Sequence, residues 1–373
     1  MSQNNKLLFV FLRGGYDCAN LLVPIDSSFY YEQRPNIAIP KPTGSGNSAL
    51  ALDAHWGLHP ALTQSLWPLY QQKELCFLPF VGSDDVSRSH FATQDTLEMG
   101  ISAHAPRNLQ SGFLNRLATE LDHSLARPIA FTPQMPIIFR GSLPVPNMPL
   151  SQLGKSQLDE RQASIVATMY ANTALSEIVR ESFEVRSDIM QTMQDEMSAA
   201  NRDAMNIKGF EAVARRMAKL MQTRFDIGFV DVGGWDTHIG QGATTGKLAN
   251  LLEELGRGLA AFSQEMRSAQ AWQRTMVIVM SEFGRTLREN GNRGTDHGHG
   301  SVMWVLGGSV AGGRVLGEQV SVESRNLFEN RDYPVLNDYR AVLGGLFQRM
   351  YGLNSNSLQK VFANVAPRDF GVL

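Results

Sequence analysis

Short runs in which almost every position is apolar alternate along this chain with longer stretches whose apolar residues recur every third or fourth position. Lys6–Leu12 (KLLFVFL), Leu75–Val81 (LCFLPFV), Phe225–Val230 (FDIGFV), Thr275–Met280 (TMVIVM) and Val302–Leu306 are of the first kind. A strand covered on both faces does not alternate, so these runs are predicted as buried strands of a largely parallel sheet. Pro79 inside the second run is expected near a strand end or at a bulge. Lys247–Ala269 is of the second kind: Leu248, Leu251, Leu252, Leu255, Leu259, Phe262 and Met266 mark one face of an amphipathic helix. Trp56–Gln72 reads as a helix through Leu58, Leu62, Leu66 and Leu69, and Asp338–Met350 as a C-terminal helix. Ile129–Thr132 and Ile137–Phe139 read as short strands or a hairpin about Pro133. From about Ser156 to Gln222 the periodicity is helical throughout, which predicts two or three helices inserted as a cap. Strands alternating with helices predict an α/β fold. At 373 residues, a single domain over 1–373 with an insertion at 156–222 is the expected organisation.

Charge narrows the class of partner. Only 19% of residues are charged and the net charge is −2. No basic stripe argues for nucleic acid or for an anionic membrane surface. No run of about 18 apolar residues is present, so no membrane span is expected. Two cysteines without CxxC spacing, Cys18 and Cys76, argue against a disulfide framework and a zinc–thiolate site. The apolar part of MSQNNKLLFVFL is short for a signal peptide and leads straight into a strand. A cytoplasmic location is expected, or a periplasmic one if an export signal has been removed.

The candidate chemistry sits where the predicted strands end. Open α/β sheets place their sites at the carboxyl edge of the strands. Here those ends lead into Arg13-Gly14-Gly15-Tyr16-Asp17, into Asp231-Val232-Gly233-Gly234-Trp235-Asp236-Thr237-His238, and into Ser281-Glu282-Phe283-Gly284-Arg285. The last continues through a Gly- and Asn-rich loop to Asp296-His297-Gly298-His299. Asp17, Asp236, His238, Glu282, Asp296, His297 and His299 offer seven nitrogen and oxygen ligands and no thiolate. That set suits one or two divalent ions, zinc or manganese before others. Ser87 and Ser89 precede a helix predicted through Phe91 to Met99, where the helix dipole favours an alkoxide or a bound anion. Arg88, Arg13 and Arg285 are candidate donors to the oxygens of an anionic substrate. A turn aspartate, ordinary helix caps and a polar loop are the alternatives to each of these assignments.

FLRGGYDCANLLVP, SRSHFATQD, GGWDTHIGQ, SEFGRT and GTDHGHG, in that order and together with GLHPAL and NDYRAVL, resemble the marker segments of the DUF1501 family. That family is similar to the alkaline phosphatase and sulfatase superfamily. The resemblance implies a three-layer α/β/α sandwich with a mostly parallel central sheet, and a metal-dependent hydrolase of small phosphate or sulfate esters. It implies Asp17 as the metal-contacting aspartate after the first strand, and Asp236 with His238 as an Asp…His ligand pair. Glu282 stands where an Asp-His pair usually follows a strand, with Phe283 in place of a ligand. Asp296 or His297 would then complete that site, and His297 or His299 matches the final histidine. The sulfatase signature has a cysteine at the nucleophile position, where this sequence has none; Ser87 and Ser89 both lie in the matching region, Asp84 takes the position under another alignment, and Ser87 is the residue expected there. Phe283 also keeps open a second reading: a non-catalytic binding or scaffolding protein with a structural metal or none.

Overall fold

The computed structural model describes residues 4–121, 126–150, 169 and 209–373. Eleven strands occur among them: β1 Lys6–Leu12, β2 Leu22–Pro24, β3 Leu50–Ala51, β4 Trp56–Leu58, β5 Leu75–Gly82, β6 Pro128–Ala130, β7 Ile227–Val232, β8 Thr275–Ser281, β9 Ser301–Gly307, β10 Arg314–Val315 and β11 Asn337–Asp338. The central sheet has the order β10-β5-β9-β8-β1-β7-β6, with β11 also paired to β5. Every pairing in it is parallel except the two made by β9. β2, β4 and β3 form a small antiparallel sheet beside it.

Alternate residues of β1 feed two separate cores. Leu8, Val10 and Leu12 pack with the helices Phe210–Thr223 and Lys247–Ser268 through Met217, Leu252, Leu255 and Leu259. Leu7, Phe9 and Phe11 face the other way, toward Phe113 and Leu117 of the helix Phe113–Glu120 and Val342, Leu346 and Phe347 of the helix Tyr339–Tyr351. Both faces of the sheet are therefore covered, which gives a three-layer α/β/α arrangement and explains the unbroken apolar runs. A fully buried β1 residue such as Leu8 adds about 1.5–3 kcal/mol over an exposed one.

Local sequence rules were overridden in two places. Trp56–Gln72 is not one helix: β4 is followed by a 3-10 turn at Pro60–Leu62 and a short helix at Trp67–Gln71. Pro60 and Pro68 lack the N–H that a continuous helix needs, and each begins a new turn instead. Ile137–Phe139 is a 3-10 turn behind Pro136, so no hairpin forms about Pro133. The bulge expected at Pro79 is present, as a register shift between Pro79 and Val81 against β9. Of the helical segment expected over 156–222, residues 156–168 and 170–208 lie outside the described residues, and Phe210–Thr223 is a helix.

Candidate metal centre

β1, β5, β7 and β8 run in one direction, so their carboxyl ends reach the same edge of the sheet. β9 runs against them, and the loop entering it therefore lies at that edge too. This brings the loops after Leu12, Gly82, Val232 and Ser281 to the segment Asp296–His299. The approach is close enough to require glycine. Gly14 has φ +123°, and a Cβ there would stand 2.7 Å from the Asp236 nitrogen. At Gly294 a Cβ would stand 2.3 Å from the His238 carbonyl oxygen.

Four side chains converge there. One ligand atom each from His90, Asp236 and His297 lies within 4.8 Å of the others. Nε2 of His90 is 3.7 Å from Asp236 Oδ2, and Nε2 of His297 is 3.4 Å from Asp236 Oδ1. His238 joins them, with Nε2 at 2.9 Å from Asp236 Oδ1 and 3.0 Å from His297 Nε2. Donors at about 2.0–2.1 Å from a tetrahedral zinc stand roughly 3.4 Å apart; the distances from Asp236 to the His90 and His297 nitrogens, 3.7 and 3.4 Å, are close to that, while His238 lies outside the group of three whose ligand atoms are all mutually within 4.8 Å. His90 Nε2 is buried and has no hydrogen-bond partner. An orphaned buried nitrogen grouped with the Asp236 carboxylate and the His297 imidazole fits a cation ligand better than a packing residue.

The far side of each imidazole is fixed. His90 Nδ1 lies 2.8 Å from Glu282 Oε1, His297 Nδ1 2.9 Å from the Arg88 carbonyl, and His238 Nδ1 3.2 Å from Asp296 Oδ1. An Nδ1–H donated to a carboxylate or carbonyl leaves the Nε2 lone pair directed at the cluster, the arrangement that orients metal-binding histidines. Burial pushes the His297 pKa below its ordinary value, with the charges of His90 and Arg285 acting in the same direction. Its neutral, ligating form is favoured as a result. Burial alone would raise Asp236, but its hydrogen bond and attraction to Arg285 hold its pKa below the usual carboxylate range. Glu282 behaves alike: burial works against ionisation, and hydrogen bonds from His90, Gln94 and Ser281 outweigh it.

The other residues singled out from sequence take different places. Asp17 does not reach the cluster. Its carboxylate is buried in a pair with Arg34, at 2.5 Å from Nη1 and 3.0 Å from Nη2, and accepts from Gln241 Nε2 at 2.6 Å. Glu282 faces the cluster through His90 rather than directly, accepting also from Gly14 N and Gln94 Nε2. Asp296 reaches it only behind His238. His299 turns away and packs its ring 4.9 Å from Phe328. The Ser87 hydroxyl accepts from the Ser89 N–H, and the Ser89 hydroxyl caps the helix His90–Met99 by accepting from Ala92 N. Each hydroxyl accepts one backbone N–H there and keeps its own proton to donate. Arg88 pairs with Asp332 and Glu329, and Arg13 with Asp231, Glu98 and Gln94. Arg285 is buried, donating to Asp236 and to the carbonyls of Gly14, Gly15 and Thr295.

His90 was the residue that strand-end reasoning missed, because it opens a helix instead of ending a strand. Its signal was its place in SRSHFATQD, directly after an N-cap serine.

The family model described as a protein of unknown function, DUF1501, matches residues 4–362, so the chain belongs to that family. No curated protein matches it. Among solved structures, Ps i-CgsB in complex with k-i-k-neocarrahexaose is similar at 10% identity and a TM-score of 0.45, over 95% of this chain and 74% of that one. A protein of the alkaline phosphatase superfamily from Vibrio parahaemolyticus is similar at 10% identity and a TM-score of 0.37, over 82% of this chain and 61% of that one. The PsFucS1 sulfatase from Pseudoalteromonas sp. is similar at 9% identity and a TM-score of 0.37, over 84% and 64%.

Proposed function

We propose that this member of the DUF1501 family is a metal-dependent hydrolase of phosphoric or sulfuric esters that works with one divalent ion. The observation that carries the reading is the convergence of three imidazole Nε2 atoms on the Asp236 carboxylate, with the buried His90 Nε2 left unpartnered. His90, Asp236, His238 and His297 would hold the ion. A zinc or manganese ion so held supplies a Lewis acid that acidifies water and polarises an ester oxygen.

The protein's own groups do the rest. Glu282, Asp296 and the Arg88 carbonyl hold the three rings in the tautomer that ligates. Arg285 orients Asp236 and offsets its charge. Phe283 is buried and lies 4.9 Å from the His90 ring and 5.1 Å from His297. It walls that side with apolar surface, which supports one ion rather than two. With Asp17 closed by Arg34, water is the nucleophile we assign, and the Ser87 hydroxyl, which keeps its own proton, is the alternative. Hydrolysis joins a water oxygen to phosphorus or sulfur, breaks the bond to the alcohol oxygen, and returns a proton to that alcohol.

The test is metal content followed by turnover. Protein dialysed against zinc or manganese should retain about one equivalent, and His90→Ala and His238→Ala should each lower that content and abolish hydrolysis of aryl phosphates or sulfates. Normal metal content and activity in both variants would reject the site. Metal bound without turnover of any ester would favour the binding-protein alternative.

A further inference from the structure

The side chains proposed to hold the ion are partly open to solvent, yet they must stand at a fixed spacing. Exposure is 45% for the Asp236 side chain, 38% for His238 and 26% for His297. The rings are turned by the hydrogen bonds behind them, but the distance between them depends on where the backbone puts them. Asp236 and His238 come from the loop after β7, and His297 from the loop that enters β9. Main-chain bonds join the two loops: Thr295 N donates to the Thr237 carbonyl at 3.1 Å, and Gln241 N to the Arg293 carbonyl at 2.9 Å.

Beneath those bonds lies a fully buried side-chain tie made of Gln241, Thr237, Thr295 and Asp17. Gln241 Oε1 accepts from the Thr237 hydroxyl at 2.8 Å and from the Thr295 hydroxyl at 3.1 Å, and its Nε2 donates to Asp17 Oδ2 at 2.6 Å. The Asp17 carboxylate, paired with Arg34, only accepts, so the amide nitrogen must face Asp17 and the amide oxygen the two threonines. Arg34 in turn donates to the carbonyls of Thr286 and Leu287. One amide therefore joins the loop after β1, the loop after β7 and the segment leading to β9. Consecutive Cα atoms are 3.8 Å apart, so pinning Thr237 pins the main chain of Asp236 and His238 on either side of it. Thr295 is tied to the cluster in space as well: its carbonyl accepts from Arg285 Nη1 at 3.1 Å, and Arg285 also donates to Asp236.

We infer that Gln241 is a positioning residue of the metal centre: its amide oxygen, shared by Thr237 and Thr295, sets the distance between the Asp236–His238 loop and the His297 loop, and through it the affinity for the ion. This role rests on the cluster being a metal centre. Gln241 touches neither ion nor substrate. Without either hydroxyl bond the two loops gain freedom to part, and an ion must draw them together again. That ordering cost comes out of the binding free energy. Asp17→Asn keeps an oxygen to accept from Gln241 and so does not break the tie.

The test measures zinc affinity of the full chain by competition with a chromophoric chelator, together with the visible spectrum of the cobalt(II) form. Gln241→Leu should weaken zinc about tenfold, the lower end of what an outer-shell partner contributes, and alter the cobalt spectrum. That variant also strands Asp17 and both threonines, so its stability falls. Thr237→Val and Thr295→Val are milder: each removes one hydroxyl at constant shape and leaves the other bonds of Gln241 in place. Each should weaken zinc about threefold, half the effect on a free-energy scale. Thr237→Ser and Thr295→Ser keep the hydroxyl and should bind zinc as the wild type does. A merely structural tie would lower the urea midpoint of the metal-free protein and leave the zinc affinity of the folded protein unchanged. That result in the two valine variants, or equal weakening by serine and valine, overturns the inference and leaves the metal centre standing. A wild-type protein that binds no zinc overturns the centre and the inference with it.

Discussion

Replacing Glu282 by glutamine tests the centre without touching a proposed ligand. Glu282 Oε1 accepts from His90 Nδ1, Gly14 N and Gln94 Nε2, and Oε2 lies 2.7 Å from the Ser281 hydroxyl. Ser281 has one hydroxyl proton, and the Leu12 carbonyl is also in reach, at 2.5 Å. In the glutamine variant the amide oxygen can keep the three Oε1 contacts. The amide N–H can donate to Ser281 Oγ while that hydroxyl donates to Leu12. Shape and hydrogen bonds survive, and the negative charge behind His90 is lost. Exchanging hydrogen bonds to a charged acceptor for neutral ones costs the folded protein about 1 kcal/mol. The larger effect falls on the metal: losing a carboxylate behind a ligating histidine lowers affinity about 10–100-fold, or about 1.4–2.7 kcal/mol. Competition with a chromophoric zinc chelator measures that affinity, and thermal unfolding with and without zinc measures the linked stability. Wild-type zinc affinity in Glu282→Gln, with the fold intact, would refute the claim that His90 is a ligand positioned by Glu282.

Two further predictions concern groups away from the cluster. Asp17→Asn leaves Arg34 buried and unpaired and should cost about 3–5 kcal/mol in urea unfolding. Its metal content should stay at the wild-type level, and loss of metal in a folded Asp17→Asn protein would return Asp17 to the ligand set. His59 is buried, accepts from Ala61 N through Nδ1, and has Nε2 3.0 Å from the Ala243 carbonyl. Burial lowers its pKa from 6.5 to about 4, against the opposing effect of that carbonyl. Unfolded chains therefore bind a proton below 6.5 that folded ones do not bind until about 4. Stability from this residue is complete above 6.5 and falls by about 3 kcal/mol on the way down to 4. Urea midpoints for wild type and His59→Gln should converge as pH falls through that window, and parallel curves would show that His59 is not the cause.

Much of this protein was legible in its residues. Unbroken apolar runs such as KLLFVFL state that both faces of a strand are covered, and the helical stripe from Leu248 to Met266 states what covers one of them. Asp236, His238 and His297 could be picked out because strand ends collect at one edge of a parallel sheet. Tertiary structure decided what each of those groups is for. A carboxylate's role depends on its nearest cation or donor, and those partners come from distant segments: Arg34 claims Asp17, His90 claims Glu282, and Asp332 with Glu329 claims Arg88. The reversed direction of β9 is equally invisible locally, yet it carries the His297 loop to the edge where His90 and Asp236 wait. Sequence named the chemical groups that a metal centre needs, and long-range pairing selected the ones that face it.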